Sequence, residues 1–493
     1  MRNYDVLIVG GGLLGCFAAR ELSRFKLNTV LIEAREDVCT GISRANTAIV
    51  YSGYDTAPNT LKTEMCLRAN RSFDALCGEL GVRFVRCGSL MISLGQRGDD
   101  VLQKKYEQGL TNGVEGLQLL SGEEVRALES ALSEKVTMGL LSPTTGTVNP
   151  WELGIAAYEN AAENGTDFRF GERVIAIEPT AEGYCVETDK ESFSARFIIN
   201  CGGLFSDSIR EMCHTPLVRI FPKRGDYLIF DKSEGGILNH VIFHEPEQKG
   251  KGLTAVPTVD GNLLIGPSEL PFEGEADFST TEEGIESLLS LCGEILPSLD
   301  KSRLIRSFGT LRPNPFYVEK SADGSFSRSQ KGISSFTLLS DGDGSFLSFI
   351  GIKTPGLTCT RELGEYAAKA AAAYLSAEEN PDFDPIRTPP LSLAHASAEE
   401  RIAAAEKNPL YGRIVCRCAG ISEGEIVDAI RRGATTLDGV KRRAGTGMGR
   451  CQGGFCSTRI MEILARELNK PLSEIMKDGP GSYMTGGGRD ERI

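Results

Sequence analysis

Apolar and polar positions divide the chain into a strand-helix-strand start, a long interrupted α/β middle and a compact helical end. An apolar run from Val6 to Val9 leads into a Gly-rich turn, a helical stretch and a second apolar strand ending at Glu33. Further on, Val174 to Ile177, Tyr184 to Glu187 and Phe193 to Asn200 are short apolar runs between turn residues, which predicts a meander beside the first sheet. From Val218 to Pro267 short strands alternate with Gly, Asp and Pro turns, predicting a separate antiparallel layer that reaches about residue 315. Phe349 to Thr358 reads as a strand-to-helix loop before an Ala-rich helix from about Arg361 to Ala377. Pro381, Asp382, Asp384, Pro385, Pro389 and Pro390 mark a linker. Beyond it, Ser422 with Glu425 and Thr435 with Asp438 are spaced as capping boxes, and Ile460, Met461, Ile463, Leu464 and Leu468 form an amphipathic run. The predicted fold class is α/β, with a core over 1–380, a linker over 381–412, a small helical domain over 413–477 and a tail over 478–493.

The turn after the first strand is Gly10-x-Gly12-x-x-Gly15, and Glu33 lies 18 residues past Gly15. In a dinucleotide-binding unit such glycines make the tight turn, admit the pyrophosphate and let helix and strand pack, while the terminal acid accepts from a ribose hydroxyl. A single copy at the extreme N-terminus favours FAD over NAD, because a flavin reductase that uses a nicotinamide is expected to carry a second fingerprint.

Near the other end, Cys416-Arg417-Cys418 is followed after 32 residues by Cys451-Gln-Gly-Gly-Phe-Cys456. Two tight pairs of thiols can converge on one centre, and thiolates suit zinc or an iron-sulfur cluster. The one-residue gap fits zinc knuckles poorly, so a [2Fe-2S] cluster is the better reading; zinc and four metal-free thiols are the alternatives. Gly445, Gly447, Gly449, Gly453 and Gly454 let backbone approach the sulfurs, and Cys456 stands where a helix start can point N–H groups at an anionic cluster.

Composition narrows the partners. The chain has 493 residues, 41% of them apolar, and a net charge of −13, which argues against a nucleic-acid partner. Arg431-Arg432 and Lys441-Arg442-Arg443 are local basic exceptions, expected on solvated faces or on a docking surface for an acidic redox partner. No run approaches 18 apolar residues and the N-terminus enters a strand directly. Fourteen scattered cysteines suit a reducing compartment. The expectation is a cytoplasmic chain that meets the inner face of a membrane only peripherally, through a partner.

"CRCAGISEGEI…RRAGTGMGRCQGGFC" resembles the bacterioferritin-associated ferredoxin module, a small helical [2Fe-2S] domain, with Cys416, Cys418, Cys451 and Cys456 at the ligand positions. The rest, over about 3–380, resembles the D-amino-acid-oxidase-like superfamily of FAD enzymes, with an interleaved antiparallel substrate domain on a Rossmann-like FAD part. "SGYDTAPNTLKTEMCLRANRSFDALCGELGVRFVRCGSL" and "PKRGDYLIF…NHVIFHEP…VPTVDGNLLIGP" are similar to its L-2-hydroxyglutarate dehydrogenase branch. The union of such a core with the cluster module resembles the large subunit of anaerobic glycerol-3-phosphate dehydrogenases. The resemblance implies FAD contacts at Gly10, Gly12, Gly15, Glu33, Ser43, Asn46, Val174, Gly202, Gly351, Gly356 and Leu357.

The implied chemistry is oxidation of a secondary alcohol beside an acidic group, with electrons passed through the cluster to a partner subunit or carrier. Arg312, in Gly309-Thr310-Leu311-Arg312-Pro313, matches the family's substrate-facing arginine, and its fork suits an oxyanion. Tyr227 falls where related enzymes place a polar active-site residue, Lys353 lies in the flavin loop, and Lys62 is a second anion contact. None of the four histidines (His214, His240, His244, His395) sits in a motif for the base, and His244 stands first among them for a place in the site. Tyr51 stands where the glycerol-phosphate branch often has His, a departure that bears on the substrate. A small anionic hydroxy compound, first sn-glycerol 3-phosphate, is therefore the expected substrate. L-2-hydroxyglutarate or another 2-hydroxy acid, an opine or amino acid, and a non-enzymatic electron-transfer or iron-handling role are the alternatives.

Overall fold

The structure, a computed structural model, describes residues 2–247, 252–274 and 276–485. Parts of the expected antiparallel layer (248–251 and 275) and of the expected tail (486–493) lie outside the described residues.

Strand Arg2–Val9 is buried along its C-terminal half and lies between Thr29–Ile32 and Ser192–Asn200, parallel to both. Asp167–Arg169 and Phe346–Ile350 extend the parallel set on either side. The meander forms as the runs predict: Val174–Thr180 pairs antiparallel with Gly183–Thr188, which pairs antiparallel with Ser192–Asn200. Two-sided burial explains the unbroken apolar runs, because helices Leu13–Leu22 and Thr360–Leu375 cover one face. These two helices touch so closely that a Cβ on Gly364 would stand 2.8 Å from the Phe17 backbone.

A second sheet, of nine strands among the described residues, lies across the first. It is wider than the predicted layer, since it also draws in Ser89–Ser93, Gln118–Ser121 and Met138–Ser142. Val241–His244 runs parallel to Ser89–Ser93, so the layer is mixed where a purely antiparallel one was expected. Local periodicity reports the side-chain alternation of a strand but not its neighbour, which tertiary approach selects. One face, with Leu228, Phe230 and Ile242, packs on helix Glu282–Ile295; the other presents Tyr227, Val241 and Phe243 toward Ile49 and Tyr51.

The segment read as a linker is partly ordered by its own signals. Arg387 donates to Glu159 at 2.7 Å and to the Leu80 carbonyl at 3.1 Å, strapping the chain to the core. Ser397 and Glu400 then form a capping box on helix Ala398–Lys407. In the small domain Ser422 and Glu425 cap Glu423–Arg431 as predicted. The second cap is Thr436 and not Thr435: its side chain accepts from Gly439, a residue with no carboxylate to reciprocate. Helices Glu423–Arg431, Leu437–Ala444 and Ser457–Leu468 pack through Ile426, Ile430, Val440, Ile460 and Leu464.

Arg432, Arg442 and Arg443 correct the expectation of solvated or partner-facing arginines, while Arg431 is exposed as expected. Arg442 and Arg443 close on Asp37, 4% exposed, with Arg443 bonding both carboxylate oxygens at 2.7 and 2.8 Å and Arg442 one of them at 3.1 Å. Arg442 also reaches Asp478, which Arg44 meets at 2.8 Å, and Arg432 reaches Glu159 at 3.0 Å. These arginines face inward because core carboxylates await them across the domain boundary. Burial alone would raise the Asp37 carboxyl, but the Arg443 and Arg442 charges overcome it and hold the group below its usual 3.8.

A carboxylate depressed in the folded state contributes stability above its unfolded pKa and loses it as pH falls through the folded value. The clamp is thus at full strength at neutral pH and releases only as pH falls below ~4. Asp37→Ala takes from the Arg443 guanidinium the only carboxylate it bonds among the described residues and leaves Arg442 with Asp478 alone, a cost of about 3–5 kcal/mol. The expected result is faster proteolysis in 381–412 at neutral pH; unchanged cleavage would show that the clamp does not hold the domains together.

Candidate active site and cluster site

The dinucleotide cradle stands at the C-terminal ends of the parallel strands. Gly10 adopts a positive φ of 105°, and a Cβ there would lie 2.6 Å from the Cys201 carbonyl oxygen. A Cβ on Gly15 would lie 1.9 Å from the Gly10 oxygen, so the turn closes only with glycine at both positions. Gly12 is the N-cap of helix Leu13–Leu22, and its side-chain place opens toward the Ser43 hydroxyl at 3.2 Å. Ser43 accepts from the Leu13 N–H at 3.0 Å, and the Asn46 amide donates to the Ser43 carbonyl at 2.9 Å. Glu33 accepts from the N–H groups of Gly11 and Arg35 at 2.7 and 2.8 Å. Burial pushes its carboxyl up against those two N–H groups.

Gly202 follows strand Ser192–Asn200 and donates to the Asn200 side chain at 3.1 Å, next to Gly10. Val174 packs beneath the sheet with Leu7, Val9 and Ile32. On the opposite wall, Gly351 has a φ of 65° and leaves no room for a Cβ beside Pro315. Gly356 donates to the Lys353 carbonyl at 2.7 Å, and Leu357 packs near Leu13 and Trp151. Gly10, Gly12, Ser43 and Glu33 form a slot in which a helix N-terminus, a hydroxyl and an acid crowd around one glycine turn. Its shape and donor set fit FAD, whose pyrophosphate needs close backbone N–H groups and whose ribose needs an acceptor.

Between this slot and the second sheet, Arg312, Lys353 and Lys62 come together. Arg312 ends strand Leu304–Arg312, with Glu269 at 3.9 Å, and its Nε is buried without a hydrogen-bond partner. Lys353 donates to Asn314 at 3.2 Å and Lys62 to the Ser334 carbonyl at 3.1 Å. Burial first, then the Arg312 and Lys62 charges, push Lys353 down to about 8. Lys62 is lowered by burial and by Arg312. Crowded cations hold their protons less tightly, and an anion between them would relieve the repulsion.

Tyr227 presents its ring to the same side, stacked on Phe308 at 4.7 Å, and burial pushes its hydroxyl up. Tyr51 stacks on Phe243 at 6.0 Å, and its backbone N–H donates to Thr358 at 3.0 Å. Burial raises the Tyr51 hydroxyl, while contacts with Thr47 and Arg312 oppose that. His244 does not join this side. One residue after Phe243 in the strand, it points to the other side of the sheet, where its two ring nitrogens are buried without hydrogen-bond partners. Asn314, Glu269 and Thr358 partner Lys353, Arg312 and Tyr51, and unlike Tyr51 they carry no mark from the family resemblance. Only the Arg-Pro-Asn-Pro wording around Asn314 offered a local signal.

The four C-terminal cysteines converge. The Cys416 and Cys418 sulfurs are 3.8 Å apart, as are those of Cys418 and Cys451, and Cys456 hydrogen-bonds Cys416. That contact, with N–H groups of Gly447 and Ala419, pulls Cys416 down to about 5 despite its burial. N–H groups of Phe455 and Gly453 lower Cys451. A Cβ on Gly449 would stand 2.6 Å from the Cys418 sulfur. The sulfurs form a run, Cys456–Cys416–Cys418–Cys451, and among the described residues no three side chains close around a single ion. Four convergent cysteines, two of them served by backbone N–H groups, fit a two-iron cluster.

Residues 5–370 match the FAD dependent oxidoreductase family, and residues 414–466 match the BFD-like [2Fe-2S] binding domain. The chain is 39% identical over 98% of its length to a glycerol 3-phosphate dehydrogenase of Caloramator mitchellensis, also covered to 98%. It is 28% identical to human mitochondrial L-2-hydroxyglutarate dehydrogenase, over 57% of this chain and 65% of that protein. The FAD-bound L-alpha-glycerophosphate oxidase of Mycoplasma pneumoniae superposes with a TM-score of 0.70 at 25% identity, over 79% of this chain and all of that one. The protein belongs to the FAD dependent oxidoreductase family, in a form that carries a C-terminal [2Fe-2S] domain.

Proposed function

We propose that the protein oxidises sn-glycerol 3-phosphate to dihydroxyacetone phosphate and hands the electrons to an acceptor protein. The observation that carries this reading is the gathering of Arg312, Lys353 and Lys62 within reach of one another's charge, with Glu269 3.9 Å from Arg312. Three cations suit a phosphate dianion, and the Arg312 Nε without a partner supplies a donor for it. The similarity to a glycerol 3-phosphate dehydrogenase over the full length supports the same substrate.

FAD, held along Gly10, Gly12, Gly15, Glu33 and Ser43, supplies a two-electron hydride acceptor, and the cluster on Cys416, Cys418, Cys451 and Cys456 a one-electron outlet. The chain's own residues do the rest. Arg312 clamps the anionic end of the substrate with two parallel donors. Lys353 and Lys62 neutralise its remaining charge, while Tyr51 and Tyr227 wall the pocket with aromatic surface and exclude water. L-2-hydroxyglutarate is the second reading, supported by the partial relatives of that name and by a site that lacks His at position 51. Anaerobic bleaching of the flavin band by glycerol 3-phosphate, L-2-hydroxyglutarate, lactate and amino acids separates these substrates. Bleaching by the hydroxy acid alone would overturn the first reading. No helix among the described residues is long and apolar enough to cross a membrane.

Arg312→Lys is expected to lower kcat/KM about 10-fold or more, since a point charge replaces a bidentate contact worth about 1.5–3 kcal/mol. Unchanged efficiency would remove Arg312 from the clamp.

Lys353 is cationic below about pH 8 and loses its charge above it. KM for the anionic substrate should therefore rise as pH passes 8, and Lys353→Arg should flatten that rise. A wild-type KM that stays level to pH 9.5 would show that Lys353 does not meet the anion.

Cys451→Ser is expected to lose iron and sulfide while substrate still bleaches the flavin, because hydride transfer precedes the one-electron step. Zinc in the wild-type protein in place of iron would make the small domain structural.

A further inference from the structure

The small domain has two unlike faces. The inner one is committed to the core through Arg432, Arg442 and Arg443. On the outer one, Arg413, Ile414, Arg417, Phe455 and Arg459 line a groove of about 410 Å³ beside the cysteine loops. Phe455, immediately before Cys456, is 87% exposed, and Arg417 separates Cys416 from the exposed Cys418. Folding gains nothing from a phenylalanine left in water. At a protein interface the same ring is an anchor, and arginine is the charged residue most enriched around such anchors.

The charges of the groove are arranged on purpose by a buried group. Glu423 is 1% exposed, and three arginines point at it: Arg466 at 2.7 Å, Arg459 at 3.7 Å and Arg413 at 3.8 Å. One sunken carboxylate thus fixes several guanidiniums in place, and Arg459 also reaches Glu462 at 2.7 Å. The groove wall itself carries Arg413, Arg417 and Arg459 against Glu423 alone. Among the described residues, the ion pairs of this face all stay within the small domain.

We infer that this outer groove is where an acidic one-electron carrier protein docks, with Phe455 as its apolar anchor and Arg413, Arg417 and Arg459 as its charged rim. The inference rests on the electron-delivering role proposed above and names the partner's chemistry. A basic patch on a chain of net charge −13 turns an acidic partner toward this one face, since the remaining surface repels it. The same net charge opposes an anionic bilayer, which is broad and flat, whereas a compact protein meets only the groove. Each alcohol oxidised releases two electrons and two protons. Two oxidised carriers therefore dock in turn, each leaves reduced by one electron, and the protons pass to solvent.

Binding of the full-length holoprotein to flavodoxin, an acidic one-electron carrier, is measured by calorimetry at low and high ionic strength. Iron and sulfide content is checked in every variant. Phe455→Ser is expected to weaken binding at least tenfold, about 1.4 kcal/mol. Arg459→Ala, one helical turn past Cys456, should weaken binding several-fold and lessen its dependence on salt with iron and sulfide content kept; cytochrome c, a basic carrier, should not compete. Equal affinity in wild type and both variants would overturn the inference. So would variant-sensitive binding to phosphatidylglycerol vesicles without flavodoxin binding, or a variant-sensitive dimer, which would give the groove to lipid or to a second copy. Flavin bleaching by glycerol 3-phosphate is recorded on the same samples. Its failure with docking intact would refute the substrate reading alone, and lost docking selectivity with bleaching intact would refute the groove alone.

Discussion

Asp37 keeps a buried charge because Arg442 and Arg443 enclose it from another domain, and the seat of the small domain on the core depends on that enclosure. The residue lies four positions past Glu33, the acid at the end of the dinucleotide slot. A short stretch of backbone thus joins the cofactor cradle to the carboxylate that the clamp encloses. Buried ion pairs add little net stability over an apolar contact, but they are intolerant of misplacement. The Asp37 clamp accordingly sets where the small domain sits, with its inner arginines used and its outer groove free.

The second constraint is steric. Gly10 and Gly15 bring two segments of backbone so close that any side chain would collide, and the slot is shaped by what is missing. Across from it the pocket is shaped by surplus. Arg312, Lys353 and Lys62 destabilise one another's charges, with burial as the larger cause for both lysines. A site in that condition favours an anion because its entry satisfies donors that the protein alone leaves strained in charge.

The second sheet shows how one period decides roles. Phe243 and His244 are neighbours in one strand, yet the first faces the pocket with Tyr51 and the second faces away. Tyr227 and Leu228 divide in the same manner, toward the pocket and toward helix Glu282–Ile295. An imidazole in sequence near the site is thereby removed from it, and the aromatic beside it is brought in.

The glycine fingerprint, Glu33, the meander and the Ser422 capping box were legible because each depends on residues close in sequence, whose steric and hydrogen-bonding rules need no distant partner. The four cysteines were legible for the same reason, in two local pairs, although their convergence needed the fold. Arg312, Lys353 and Lys62 were chosen through resemblance, and nothing in their own neighbourhoods announced that segments 250 residues and more apart in the chain would place Lys62 beside the other two. Thr358 and Asn314 went unselected, and the inner arginines were read as surface charge, because a hydrogen bond or ion pair across the chain leaves no periodic trace. Sequence by itself determined the local turns, caps and ligand spacings. Tertiary structure alone decided which charges are buried together and which face of each strand meets the pocket, since both follow from how distant segments pack.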